Sequence, residues 1–133
     1  MPALAYINSP FTTMQDVANQ VVTNINSTQS NAAPFVQGTA VAGAVTAQGL
    51  KLSITTEALA TAAAATYTLT ITDASIAVNS LVFVTVNFGT STTGEPGVHL
   101  VTPAAGSVVI KIRNDAAAAA FNGTLVVGVL VIN

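Results

Sequence analysis

The chain has 133 residues, of which 51% are hydrophobic and only 6% charged, and its formal net charge is −2. A soluble domain usually gives about a quarter of its residues to Asp, Glu, Lys and Arg. Three basic residues cannot form the cationic patch that nucleic-acid or membrane-surface binding requires, and a chain without cysteine has no disulfides, thiol catalysis or cysteine-ligated metals. We therefore expect one domain whose uncharged surface associates readily and is covered by protein.

Residues 1–37 are predicted to form an N-terminal arm. Apolar residues recur at spacings of three and four from Thr13 to Asn26, which predicts a short amphipathic helix. The helix packs either on its own domain or on a neighbouring subunit, and the sequence leaves both alternatives open. We expect the arm to make protein contacts through seven residues, namely Tyr6, Phe11, Met14, Val17, Val21, Ile25 and Phe35.

Targeting and membrane segments are not expected. The first residues include no basic region followed by a long apolar run, as a secretory signal would. The longest apolar stretches are far shorter than the roughly 20 residues that span a bilayer.

Residues 38–133 carry a β pattern. Thr66–Thr72 alternates apolar residues with threonines, which predicts a half-buried strand. Leu81–Phe88 and Thr124–Ile132 are apolar on both faces, so they are either central strands or strands whose outer face meets a partner. Further strands are predicted around Leu50–Ile54, Val98–Val101 and Gly106–Arg113. The pattern predicts an all-β fold, an antiparallel β-sandwich or jelly-roll-like barrel of six to eight strands.

Two stretches, residues 64–84 and 105–127, share an order of strand, small-residue connection, Asn-containing turn and strand. Two such units could pack face to face as the halves of a sandwich. The alanine tracts Ala62–Ala65 and Ala116–Ala120 are either loops or single helical turns, and we favour loops. Runs of four or five residues are too short to hold a helix alone.

Residues suited to catalysis or metal binding are scattered. His99 is the sole histidine, and the five acids occur singly, without the spacing of metal ligands or of a paired-carboxylate site. We therefore predict a protein that is not an enzyme, with no catalytic residue, no cofactor and no metal, and we predict His99 to be an ordinary strand or loop residue.

The segment Gly89–Gly97 is rich in turn-forming residues and is predicted to be an exposed loop between two strands. It is either a solvated connection or a contact loop for a receptor. The residues predicted to be exposed in it are Thr90, Ser91, Thr92, Thr93 and Glu95.

Three features of residues 38–133 resemble the capsid decoration (cement) proteins and head-fibre proteins of tailed bacteriophages: the threonine-rich strand Thr66–Thr72, the strand Gly106–Asn114, and Ala119–Leu125 with the apolar strand after it. The resemblance implies a β-rich module, often a homotrimer, that is made in the host cytoplasm. It binds the major capsid protein on the virion exterior and reinforces the shell, and no catalytic residues come with it. The N-terminal arm, which would reach across neighbouring capsid subunits, departs from compact decoration modules.

Three functions are compatible with these observations. The first is a virion structural protein that binds a capsid through uncharged contacts and binds neither nucleic acid nor membrane. The second is a carbohydrate-binding or receptor-binding head-fibre or adhesin module. The third is a small viral coat protein, which the scarcity of basic residues disfavours because a shell around RNA usually needs a basic inner surface.

Overall fold

The computed structural model describes residues 17–19 and 35–133. The chain divides into two compact units, Met1–Pro34 and Phe35–Asn133. In the first unit residues 17–19 are helical and Val17 is exposed. The rest of the helix predicted for the arm lies outside the described residues.

The second unit consists of eight strands in two four-stranded sheets. The strands are β1 (Val36–Thr39), β2 (Ala44–Thr46), β3 (Lys51–Thr55), β4 (Thr66–Thr72), β5 (Leu81–Phe88), β6 (Pro96–Ala104), β7 (Ser107–Asn114) and β8 (Leu125–Ile132). Sheet A has the order β1-β3-β8-β5 and sheet B the order β2-β4-β7-β6. The prediction of a mostly β fold is confirmed, and the strand at Thr66–Thr72 has the predicted bounds.

The expectation of a wholly antiparallel fold is wrong for two strand pairs. β1 pairs with β3 in parallel, and β2 pairs with β4 in parallel. The first six strands alternate between sheet A and sheet B, so the chain crosses to the other layer before it returns. Such a crossover is what a parallel pair requires, whereas a short hairpin can join only antiparallel neighbours. Among consecutive described strands, only β6 and β7 are adjacent in one sheet.

The two repeated stretches do not form separate halves, as the sequence had suggested. Their first strands, β4 and β7, are antiparallel neighbours in sheet B, and their second strands, β5 and β8, are antiparallel neighbours in sheet A. Each stretch therefore contributes one strand to each sheet. The similarity of their patterns reflects the shared path of crossing from one layer to the other.

Both sheets contribute to one hydrophobic core. Inward side chains of β4 and β7 in sheet B, such as Leu69 and Ile110, are fully buried with those of β3 and β8 in sheet A, such as Ile54 and Val127. Full burial of one such side chain contributes about 1.5–3 kcal/mol to folding. The side-chain period of two along each strand places these residues on one face.

The alanine tracts are loops, as predicted. Ala64 adopts a φ of 61°, a left-handed conformation that helps the chain turn before β4. Its N–H donates to the carbonyl oxygen of Asn114 at 2.8 Å, which fixes the loop against the end of β7.

Asn114, at the end of β7, joins three loops beside the core. Its side chain is fully buried. The Nδ2 group donates to the carbonyl oxygens of Thr61 at 3.0 Å and Ala119 at 2.8 Å. The Oδ1 atom accepts from the N–H groups of Glu95 at 2.9 Å and Ala116 at 3.2 Å. The side-chain amide of Asn114 therefore forms hydrogen bonds with four backbone groups, which would lose these partners without it.

We predict that Asn114→Ala lowers the free energy of unfolding by about 2–4 kcal/mol, because it leaves several backbone groups at a buried position without partners. Urea unfolding followed by circular dichroism measures the loss. Asn79→Ala, at an exposed turn position, is the matched control and should change stability by less than about 0.5 kcal/mol. Equal effects of the two substitutions would contradict the proposed role of Asn114.

Candidate protein-binding surface

The outer face of sheet A carries an exposed apolar cluster. Leu81 on β5 lies opposite Ile132 on β8, and Phe83 lies opposite Leu130. All four side chains are exposed, with Leu81 at 62% and Phe83 at 56%. We call these four residues the apolar cluster. Large apolar side chains grouped on a surface are typical of a contact site rather than of a solvated face.

An open depression lies on the same face beside the apolar cluster. It has a volume of about 280 Å³ and is lined by Phe35, Gln37, Ser53, Thr85, Asn87, Val126 and Gly128. Gly128 leaves space next to Thr85, because a Cβ at this position would come within 2.7 Å of Thr85 Oγ1. The lining is uncharged and combines amide and hydroxyl groups with one aromatic ring.

The outer face of sheet A is almost free of charge. Among its described outward-facing residues, Lys51 is the single charged one, and it lies opposite Leu130 in the ladder between β3 and β8. This face can therefore be covered by another protein with little cost of removing charges from water.

The outer face of sheet B has a different chemistry. The threonines of β4 lie there, in register with the outward residues of β7, which include Lys111 and Arg113. Arg113 forms an ion pair with Asp115 at 3.3 Å, with both side chains about half exposed. An exposed pair of this kind contributes little to stability. Sheet B thus presents a polar, partly charged surface that contrasts with sheet A.

Two carboxylates have structural roles inside the fold. Asp73 is fully buried and accepts from Ser75 N at 2.9 Å, Ser75 Oγ at 2.7 Å and Gly49 N at 3.1 Å. Glu57 accepts from Gly43 N and from the Tyr67 hydroxyl, both at 2.9 Å. These acids organise turns through their hydrogen bonds to backbone N–H and hydroxyl groups.

The hydroxyl of Tyr67 is held in its neutral form. Burial of the phenol, together with its hydrogen bond to the Glu57 carboxylate and the negative charge of that group, raises the pKa of Tyr67 well above its ordinary value of about 10. Proton loss would place two negative charges side by side at a half-buried site.

The predicted contact loop is held rigidly at its base. Thr90 N donates to Thr124 Oγ1, and Thr124 N donates to Thr90 Oγ1, each at 2.9 Å. The Asn122 side chain accepts from Thr92 N at 2.7 Å and is also bonded to Ser91 Oγ at 3.1 Å. These hydrogen bonds fix the loop to residues 122–124, which precede β8.

The exposure predicted for this loop is correct at four positions and wrong at one. Thr90, Thr92, Thr93 and Glu95 are exposed. Ser91 is buried, with 3% of its surface exposed, because its hydroxyl turns inward to Asn122 and the carbonyl oxygen of Thr93. The composition of the segment could not indicate this inward rotation.

The arm residues expected to contact protein are described at two positions. Val17 and Phe35 are both exposed, and Phe35 lines the depression on sheet A. Tyr6, Phe11, Met14, Val21 and Ile25 lie outside the described residues.

Sequence reasoning did not single out the apolar cluster. The stretches that became β5 and β8 were predicted to be central or to face a partner. β8 is central, whereas β5 is an edge strand of sheet A. The signal was a pair of apolar residues at two successive outward positions near one end of each strand, Leu81 and Phe83 on β5 and Leu130 and Ile132 on β8. Without the register, nothing indicated that these positions meet.

His99 lies on β6, exposed to solvent, at a β-bulge where the register shifts between Val98 and Leu100. Within residues 17–19 and 35–133, no group of three or more His, Cys, Asp or Glu side chains is placed to hold a metal ion. Over the same residues, no helix is long and apolar enough to cross a membrane.

In comparisons with known proteins, no family model, no curated protein and no solved structure matches this chain.

We predict that the stability of the protein falls as the pH rises above about 10, where the Tyr67 hydroxyl ionises in the unfolded chain but not in the folded one. The folded state then binds more protons, so the free energy of unfolding decreases by up to about 1.4 kcal/mol per pH unit from this group. Its contribution is fully present below pH 10 and is lost through the range between the unfolded and folded pKa values.

Urea unfolding at pH 8 and at pH 11 measures this dependence. The control is Tyr67→Phe, which removes the titrating hydroxyl and leaves every other side chain in place. The variant should show a smaller fall in stability between the two pH values. An equal fall in the free energy of unfolding in the two proteins would exclude Tyr67 as the cause.

Proposed function

We propose that this protein is a non-enzymatic structural protein of a virus particle, a β-sandwich module that binds the outside of a bacteriophage capsid and reinforces it. The observation that carries the proposal is the outer face of sheet A, where an exposed apolar cluster lies on a surface with a single charged residue among those described. Such a face binds protein by burying apolar area, at roughly 25 cal/mol per Å² before the costs of association.

The scarcity of charge supports docking on a protein shell rather than on nucleic acid. Four of the five acidic residues are described, and three of them, Glu57, Asp73 and Asp115, bond within the molecule. Few charges remain to steer the protein towards a charged partner. Many copies on a shell would hold to it through repeated weak contacts.

The choice of a phage capsid as the partner rests on the sequence resemblance. It is supported by the β-rich architecture and by the uncharged face, both of which suit a module that covers a capsid surface. Within this proposal the protein is made in the host cytoplasm and is located on the capsid exterior, where it contacts the major capsid protein and other copies of itself.

We predict that Leu81→Ser lowers the affinity for the capsid by about tenfold, because it removes an exposed leucine from the apolar cluster. Leu100→Ser is the matched control, since Leu100 is also exposed but lies on the outer face of sheet B. Co-sedimentation of the purified protein with undecorated capsids measures both affinities.

The same experiment at increasing salt tests the uncharged character of the contact. Raising the salt from about 50 to 500 mM should change the affinity by less than about threefold, because few charges take part. Failure of the protein to bind any capsid, or binding that salt abolishes, would overturn the proposal.

A carbohydrate-binding or receptor-binding module is the second candidate, and the depression on sheet A favours it. Its amide and hydroxyl groups, with Phe35 at its side, are the kinds of groups that bind a sugar ring. We expect any reproducible binding on a glycan array to be lost in Asn87→Ala, which removes an amide from the depression, and retained in Thr92→Ala, which changes the exposed loop.

A further inference from the structure

We infer that β5 is a self-association edge, through which two copies of this chain pair their β5 strands antiparallel about a two-fold axis and join their A sheets into one. The partner at this edge is thus a second copy of the chain. It binds through a row of backbone N–H and C=O groups that point away from sheet A. The pairing does not depend on the capsid assignment, since it uses the edge of sheet A and not its outer face.

The four edges of the two sheets differ in how they are protected. β1 and β2 have only four and three residues. β6 contains a β-bulge at His99 and two prolines, Pro96 and Pro103. Short edges, bulges and prolines are the usual means by which proteins prevent a neighbouring chain from adding to a sheet.

β5 has none of these protections. It has eight residues, Leu81–Phe88, without proline, glycine or charge, and it pairs with β8 residue by residue without a bulge. No described strand pairs with its other side. A long, regular, uncharged edge is a template for another strand.

The hydrogen-bond pattern identifies the backbone groups on the open edge. Beyond the end of β5, Gly89 N donates to Thr124 O at 2.9 Å. Hydrogen-bonded and non-hydrogen-bonded pairs alternate along an antiparallel ladder, so the odd-numbered residues of β5 bond to β8. The N–H and C=O groups of Val82, Val84 and Val86 therefore point away from the sheet.

The edge of β6 carries proline at two of the matching positions. Asp115 N donates to Glu95 O at 2.8 Å at the start of the ladder between β6 and β7. With Thr102 opposite Val109 and Leu100 opposite Lys111, the residues of β6 whose backbone groups point to the unpaired edge include Pro96, Val98, Val101 and Pro103. Two of these four lack an N–H group.

The side chains of β5 also favour a second strand at its side. Val82, Val84 and Val86 face the core but are only half-buried, whereas Val127 and Val129 on the central strand β8 are fully buried. A strand added beside β5 would cover the exposed flank of these valines.

A second copy of β5 is complementary to the first. In the pairing centred on Val84, that residue lies opposite Val84 of the second copy, and Val82 lies opposite Val86 of the second copy. All of these side chains are β-branched and face the core, where such pairs are favourable. With no charge on the strand, the two copies do not repel each other.

The resulting dimer would place two apolar clusters on one continuous surface. Two-fold pairing differs from the trimer that the resemblance to decoration proteins implies, so the oligomeric state distinguishes the two arrangements.

The test uses the full chain and two proline variants. Val84→Pro removes an N–H that points to the open edge and introduces a ring there, without removing a bond to β8. Val101→Pro is the matched control, because Val101 is also a half-buried valine whose N–H points to the unpaired side of an edge strand, here the protected strand β6. Analytical ultracentrifugation over a range of concentrations measures the association of each protein.

We expect the unmodified protein and Val101→Pro to form dimers. We expect Val84→Pro to raise the dimer dissociation constant by about tenfold or more, since several backbone hydrogen bonds are lost together. A protein that stays monomeric, a trimer, or a dimer that Val84→Pro leaves unchanged would overturn the inference.

Residue-resolved amide hydrogen exchange on the unmodified protein gives a second measurement that does not require a variant to fold. The amides of Phe83, Thr85 and Asn87 should be protected at all concentrations, because they bond to β8. The amides of Val82, Val84 and Val86 should become protected only as the dimer forms. Free exchange of these three amides in the dimer, or their protection in a monomer, would contradict pairing through this edge.

Discussion

The packing of inward β-branched and leucine side chains between the two sheets is the interaction on which the rest of the structure depends. Most neighbouring strands within each sheet are far apart along the chain, and both sheets pack against one common core. Because each strand alternates its side chains, filling the core also determines which residues face outwards. The apolar cluster on sheet A and the threonines on sheet B therefore follow from the same register that buries Ile54 and Leu69.

Most of the few acidic side chains in the described residues have structural roles. Glu57 and Asp73 bond to backbone and hydroxyl groups in turns, and Asp115 pairs with Arg113. The loop after β5 is fixed by hydrogen bonds to threonine and asparagine side chains, which carry no charge. The protein thus places carboxylates in two of its turns and fixes the loop after β5 with hydrogen bonds between uncharged groups.

The sequence predicted the strands more reliably than their arrangement. The alternation at Thr66–Thr72 is a local property, so it located β4 to the residue. The parallel pairing of β1 and β2 with later strands depends on which layer each strand enters, and no local pattern records that choice. The apolar cluster likewise arises only when Leu81 meets Ile132 across the ladder. Ser91 was misjudged for a related reason, since its burial depends on Asn122, 31 residues away.

The position of β8 in sheet A affects the order in which the molecule can be built. β8 lies between β3 and β5, so these two strands have no backbone partner on that side until residues 125–132 have been synthesised. The hairpin of β6 and β7 is the one pair of consecutive described strands that can form from neighbouring sequence, and most other pairs join distant parts of the chain. Folds dominated by such distant contacts fold slowly, because the chain loses entropy before the contacts form. On the ribosome, the valines of β5 would remain uncovered until nearly the whole of this sequence had emerged, a period in which the nascent chain depends on chaperones or on rapid completion to avoid aggregation.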